Sequence, residues 1–299
     1  MSDHSVRSRR APAMRRFAFA DNLMVGPGEL HDARIAPGHL LFAGVMIALG
    51  LRGLIVGDFA SVWQRIPIAH LPARQLFAYA CAAIELSIGL GLLWRRSVEL
   101  AAAVAAGFLL AWAVLLKLPP VLVAPGMEAT WLGLGEIAVI LSGGWILFAS
   151  HAADAGRHLT WAVGGRGIGW ARLLFALALP AIGLAHFVYA DATAGFMPAW
   201  LPWKYGWVYL TGAGSLAASL GVLLGVLPRL AAVMEAAMLS VITVLVWLPG
   251  LVAAPGDASV TPFLMSTAIA CGAWVVADSY WTAGWLGFGP AAAMPGTAR

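Results

Sequence analysis

Leu118-Pro119-Pro120-Val121-Leu122-Val123-Ala124-Pro125-Gly126 returns 130 residues later as Leu248-Pro249-Gly250-Leu251-Val252-Ala253-Ala254-Pro255-Gly256. The same offset carries Leu71-Pro72 onto Leu201-Pro202, Gly91 onto Gly221, and Glu99-Leu100-Ala101-Ala102 onto Arg229-Leu230-Ala231-Ala232. A slightly longer offset, 133, matches Gly50-Leu51 with Gly183-Leu184 and Asp58 with Asp191. Apolar helices resemble one another by chance, but matched proline and glycine punctuation does not arise that way. The chain therefore reads as a tandem duplication.

Between these marks lie apolar runs near 39–57, 75–94, 98–117, 131–149, 171–190, 206–226, 229–248 and 260–278. About 20 mostly apolar residues are needed to cross a bilayer core as a helix. The composition agrees: 61% of residues are hydrophobic and 11% charged, with a mean hydropathy of +0.85. That leaves too little polar surface to cover a water-soluble fold. The expected fold is an all-α membrane protein with eight transmembrane helices. They form two four-helix bundles inserted in the same direction, related by a pseudo-two-fold axis along the membrane normal.

The domain reading follows. Residues 1–38 form a basic arm suited to anionic lipid, and residues 39–149 the first unit. A linker at 150–170 leads to the second unit at 171–278, and 279–299 is a tail. The arm is no export signal, because Arg15-Arg16 is followed only by Phe17-Ala18-Phe19-Ala20 before Asp21.

Lysine and arginine placement sets the topology. With the N-terminus inside, thirteen basic residues fall in inner segments, from Arg7 to Arg299, against four outside: Arg65, Arg74, Lys117 and Lys204. Both termini are thus expected on the cytoplasmic side of the inner membrane. Trp94, Trp170, Trp281 and Trp285 fall at inner helix ends and Trp131, Trp200, Trp203, Trp207 and Trp247 at outer ones, as interfacial belts do. A net charge of +4 placed this way gives no reason to expect a nucleic-acid partner.

Ionisable groups inside spans are costly and mark candidate sites. They are Arg52, Glu85, Glu136, His186 and Glu235. Depth counting puts Arg52, Glu85 and Glu136 in the outer half of the first unit, with Lys117 at the mouth, so they are expected to form one cluster. Arg52 offers a fixed fork of donors to an anion or a quinone carbonyl, and a neighbouring glutamate suits proton exchange. A structural ion pair is the competing reading. Glu235 has no obvious basic partner and reads as structural. His186 and His39 differ too much in depth for a bis-histidine haem. The lone cysteines Cys81 and Cys271 and the absence of C-x-x-C leave no basis for an iron–sulfur or zinc site.

Ala82-Ala83-Ile84-Glu85-Leu86-Ser87-Ile88-Gly89-Leu90-Gly91-Leu92-Leu93 before Arg95-Arg96 resembles the second helix of DoxX-like membrane proteins. Glu136 resembles the glutamate of their fourth helix. Gly183-Leu184-Ala185-His186-Phe187, followed by Met197-Pro198-Ala199-Trp200-Leu201-Pro202, is similar to their first helix and outer loop. The resemblance implies a membrane subunit that binds a quinone or another apolar redox partner, with the catalytic cofactor on a partner redox subunit. The second unit departs from the pattern, with Ser215 in place of Glu85 and Thr267 in place of Glu136. Two other functions stay open: a carrier for a small solute or lipid in the cleft between the repeats, and a structural scaffold. A carrier predicts a polar midplane cavity shared by both units, and a quinone subunit predicts one lipid-accessible pocket beside Arg52.

Overall fold

The computed structural model describes residues 36–60, 62–64, 72–152 and 159–287. Among the described residues there are no strands, and eight helices are long and apolar enough to span a membrane. They are α1 Pro37–Val56, α2 Arg74–Leu93, α3 Val98–Val123, α4 Glu128–His151, α5 Gly164–Val188, α6 Lys204–Leu224, α7 Pro228–Ala253 and α8 Asp257–Asp278. A short helix, Ala190–Phe196, joins α5 to α6. In a medium without water a helix satisfies its backbone groups internally, which is why apolar stretches of this length fold so. The basic arm up to residue 35, the Arg65–Pro67 part of the first loop, Arg157 and the tail beyond 287 lie outside the described residues.

Two spans run further than hydropathy alone predicts. The sequence places the ends of the third and seventh runs near 117 and 248, at the prolines. In the structure the helices continue through Pro119-Pro120 and Pro249 to Val123 and Ala253. The chain does this by widening into a π turn just before, at Ala113–Lys117 and Thr243–Trp247. There Leu118 N–H donates to the Ala113 carbonyl and Leu248 N–H to that of Thr243, five residues back. Proline lacks a donor and its ring clashes with the carbonyl four residues earlier, so an α-turn is blocked where a wider turn is not. α5 likewise begins at Gly164, inside the stretch read from sequence as linker.

The duplication is legible atom by atom. Gly50 of α1 lies on the backbone of Ala82 and Leu86 in α2, and Gly183 of α5 lies on Gly212 and Leu216 in α6. Those pairs are the same contact at offsets of 133 and 130. Backbones approach this closely only where a glycine sits. At the next turn along α1 and α5, Gly53 faces Ala82, whereas His186 faces Gly212; the large and small partners have been exchanged between helices. Ala73 and Trp203 both enter their helices through a left-handed residue, with φ of 55° and 56°.

Within α4 and α8 the offset is 129. Glu128 and Asp257 open the two helices, and Gly143 and Trp145 correspond to Gly272 and Trp274. This register puts Met265 opposite Glu136, which corrects the sequence alignment of Glu136 with Thr267: one residue is missing between Gly256 and Asp257 relative to the first unit.

The eight helices close into a ring in which each packs on its chain neighbour among the spans and α8 returns to α1. α4 and α8 also cross the middle against each other, Gly143 on Gly272. The inter-unit seams are therefore α4/α5 and α8/α1. Phe42, Met46, Leu49, Ile137, Ile140, Phe175 and Leu179 are buried in the interior, while Ile55, Leu76, Leu100, Leu115 and Leu177 point outward into the expected lipid.

Candidate functional site

Arg52 lies four residues before the end of α1, about 6 Å along the helix. Its guanidinium pairs with Asp257 at the start of α8, across the α8/α1 seam. The expected cluster with Glu85 and Glu136 is not what forms around it. Beside this pair the seam opens into a cleft enclosing about 50 Å³, lined by Leu49, Arg52, Asp58, Val62, Asp257 and Leu264, with Thr261 on one wall.

The repeat explains why the cleft is here. In the other seam, Gly135 of α4 packs directly on α5: a Cβ added there would meet the Ala178 carbonyl at 3.0 Å and Ala181 at 3.2 Å. At an offset of 129 the residue corresponding to Gly135 is Leu264, and at 133 the residue corresponding to Ile182 is Leu49. Both leucines line the cleft. Where glycine admits the neighbouring helix, leucine holds it off, and the space left over is the cleft. At the far end the same seam is tight, since Gly38 lies on Trp274 and Val275 and donates its N–H to Asp278 at 2.7 Å.

One wall belongs to the segment after α1. Gly57 closes the helix in the left-handed conformation (φ 68°). Asp58 accepts from the Phe59 N–H at 2.6 Å and pairs with Arg74 of α2 at 2.6 Å. Gln64 ties itself to Ala60 twice, accepting the Ala60 N–H at 3.0 Å and donating its own N–H to the Ala60 carbonyl at 2.9 Å. Trp63, wholly buried, turns into the first unit and donates its indole N–H to Glu85 at 3.0 Å.

Glu85 is thus about 16 Å into α2, 1% exposed, with Trp63 as its partner. Lys117 and Glu136 are brought together: Lys117, ending the π turn of α3, runs past Gly133, where an added Cβ would meet its side chain at 3.8 Å, and Glu136 is within its electrostatic reach, with Glu128 the next charge. Glu136 is half-buried. His186 donates from Nδ1 to the Ile182 carbonyl at 2.9 Å, a local bond along its own helix. His39 sits at the opposite end of the bundle, edge-on to His151 with ring centroids 5.5 Å apart, and donates from Nε2 to the Leu92 carbonyl at 2.9 Å.

Two participants, Asp257 and the Ser215 partner of Glu235, are not legible from sequence. The pairing of Asp257 with Arg52 depends on ring closure between the first and last spans. Glu235, which the sequence offers no obvious basic partner, has a neutral one: its carboxylate receives the hydroxyl of Ser215 at 2.9 Å, and it is 1% exposed. Ser215 occupies the place of Glu85 at offset 130. The second unit therefore keeps a buried carboxyl at that level, carried on α7 instead of on α6. The repeat register was the signal that could have exposed this: Ala105, the counterpart of Glu235, is one of the small buried residues of α3.

These features define a multi-pass, all-α membrane protein with a polar seam between two repeats. A model of a domain of unknown function (DUF8561) matches residues 175–263, less than a third of the chain. The match runs from mid-α5 into α8 and takes in Ser215, Glu235 and Asp257. No curated protein and no solved structure matches the chain.

Proposed function

We propose that this chain is a DoxX-like membrane subunit of the inner membrane. It receives the polar end of a quinone or similar apolar redox partner in the cleft beside Arg52 and presents it to a partner redox subunit. The observation that carries the reading is the cleft itself: it opens at the α8/α1 seam with a guanidinium in its wall. Its volume suits about four water molecules, far below the roughly 300–1,000 Å³ that encloses a whole drug-sized ligand. Such a space takes a carbonyl-bearing head while the apolar body stays in lipid. Arg52 supplies donors beyond the one engaged by Asp257.

The cleft's place favours this over a symmetric carrier. It lies near the Arg52 end instead of at mid-depth, and the corresponding seam is closed at Gly135.

The test compares detergent-purified wild type with Arg52→Gln and with Leu264→Phe, which fills the cleft, with and without short- and long-tailed quinones. Quinone is expected to raise the melting temperature of wild type and of neither variant. No shift in wild type, or an equal shift in Leu264→Phe, overturns the reading.

A further inference from the structure

The two buried carboxyls differ in what they hold. Glu235 bonds Ser215 and thereby links α7 to α6 within the helix layer. Glu85 bonds Trp63 and thereby links α2 to the segment that forms one wall of the cleft. The residue at the corresponding place in the second unit's connection, Phe196, is exposed and packs against Trp247 with ring centroids 5.2 Å apart and the rings tilted by 46°. A carboxyl on the second helix of a unit reaches the connecting segment; one on the third helix reaches its neighbour. The acid has changed helices, and the cleft lies beside the connection that is anchored in this way.

We propose that Glu85 is a positioning residue for the cleft: through the Trp63 indole it fixes the wall formed by Asp58, Phe59, Ala60 and Val62, a task that Glu235 does not perform. The consequence for ligand binding rests on the reading of the cleft given above; the fixing of the wall does not. The anchor is effective because it is desolvated. Trp63 is wholly buried and Glu85 nearly so, so releasing the indole N–H leaves two buried polar groups unsatisfied. Of the other ties of this wall, the Asp58–Arg74 pair is partly exposed, and the buried Gln64 bonds Ala60 of the same segment.

The experiment uses the full chain with Cys81 and Cys271 replaced by alanine and Ala60→Cys introduced on the wall. The readout is its rate of reaction with a water-soluble maleimide. Glu85→Leu and Trp63→Phe are each expected to speed the reaction about tenfold, the effect of losing one buried hydrogen bond. Glu85→Gln should react at the parent rate, because its amide oxygen still accepts the indole N–H. Glu235→Leu, which removes a comparably buried acid from the other unit, should also react at the parent rate, even where it lowers the melting temperature. A parent rate in both Glu85→Leu and Trp63→Phe, or an equal acceleration in Glu235→Leu, overturns the proposal. Where wild type binds a quinone, Glu85→Leu should weaken it in proportion and Glu85→Gln should not. Failure of wild type to bind any quinone refutes the cleft reading alone, and the labelling rates still decide the role of Glu85.

Discussion

Glu235 reaches from α7 to the hydroxyl of Ser215, and Ser215 stands where the first unit has Glu85. A duplicated fold has thus kept a buried carboxyl in each half while moving it from the second helix of the unit to the third. The level in the bundle is preserved and the partner is not.

That relationship gives the first prediction. Ser215→Ala removes the hydroxyl that serves Glu235 Oε1, and Oε2 already has no partner among the described residues. The loss should be about 1–3 kcal/mol. Pairing it with Glu235→Leu should recover most of the loss, since replacing both partners by apolar groups is close to neutral. Melting curves of the two singles and the double decide it; a double mutant weaker than the sum of the singles counts against the buried bond.

The seam comparison gives the second. Gly135→Leu drives a side chain into Ala178 and Ala181 and should destabilise by about 1–3 kcal/mol. Leu264→Ala should cost less than the roughly 2–5 kcal/mol typical of a leucine buried on all sides, because Leu264 faces the cleft. A tolerated Gly135→Leu would mean that the α4/α5 seam is not closed as described.

The π turns give the third. Pro249→Ala restores a donor and removes the ring clash that widens α7 at Thr243–Trp247. Relaxation to an α-turn rotates the helix beyond it by one residue, about 100°, and parts Trp247 from Phe196. A cysteine pair at positions 196 and 247 should cross-link readily in the parent and poorly with Pro249→Ala. Equal cross-linking would assign the π turn to some cause other than the proline.

Beyond the last span, Tyr280 lies under the Arg172 guanidinium, 3.7 Å from ring centroid to Cζ, and its hydroxyl has no partner among the described residues. Burial pushes the phenol up from its ordinary value, and Arg172 offsets this only in part. A folded-state value above the unfolded one means that stability is intact below pH about 10 and falls as pH rises beyond it, where the unfolded phenol ionises first. Tyr280→Phe keeps the ring under Arg172. It should be at least as stable as wild type at neutral pH and lose less stability above pH about 10, as read from melting temperatures across that range.

How much of this was legible beforehand depends on the distance over which the information is carried. Hydropathy marked all eight spans because span length is set by the bilayer. The Leu-Pro and Pro-Gly marks disclosed the repeat because backbone punctuation is local. Lys117 beside Glu136 was also within reach, both lying at the same end of helices joined by one short connection. The partner of Arg52 was not legible: depth alone does not say which way a side chain points around its helix, and Arg52 pairs with Asp257 and not with Glu85 or Glu136.

The sequence by itself determined the class of the fold, the number of spans and their duplication, because apolar length, proline and glycine act within a turn or two of the chain. Tertiary structure alone decided that α8 closes on α1, bringing Asp257 to Arg52 across 205 residues of chain. It also decided that Leu264 in place of Gly135 props one seam open, and that the buried carboxyl of the second unit, carried on α7, meets Ser215 on α6. Each of these depends on which helix faces which, and that is fixed by packing of small against large residues between helices.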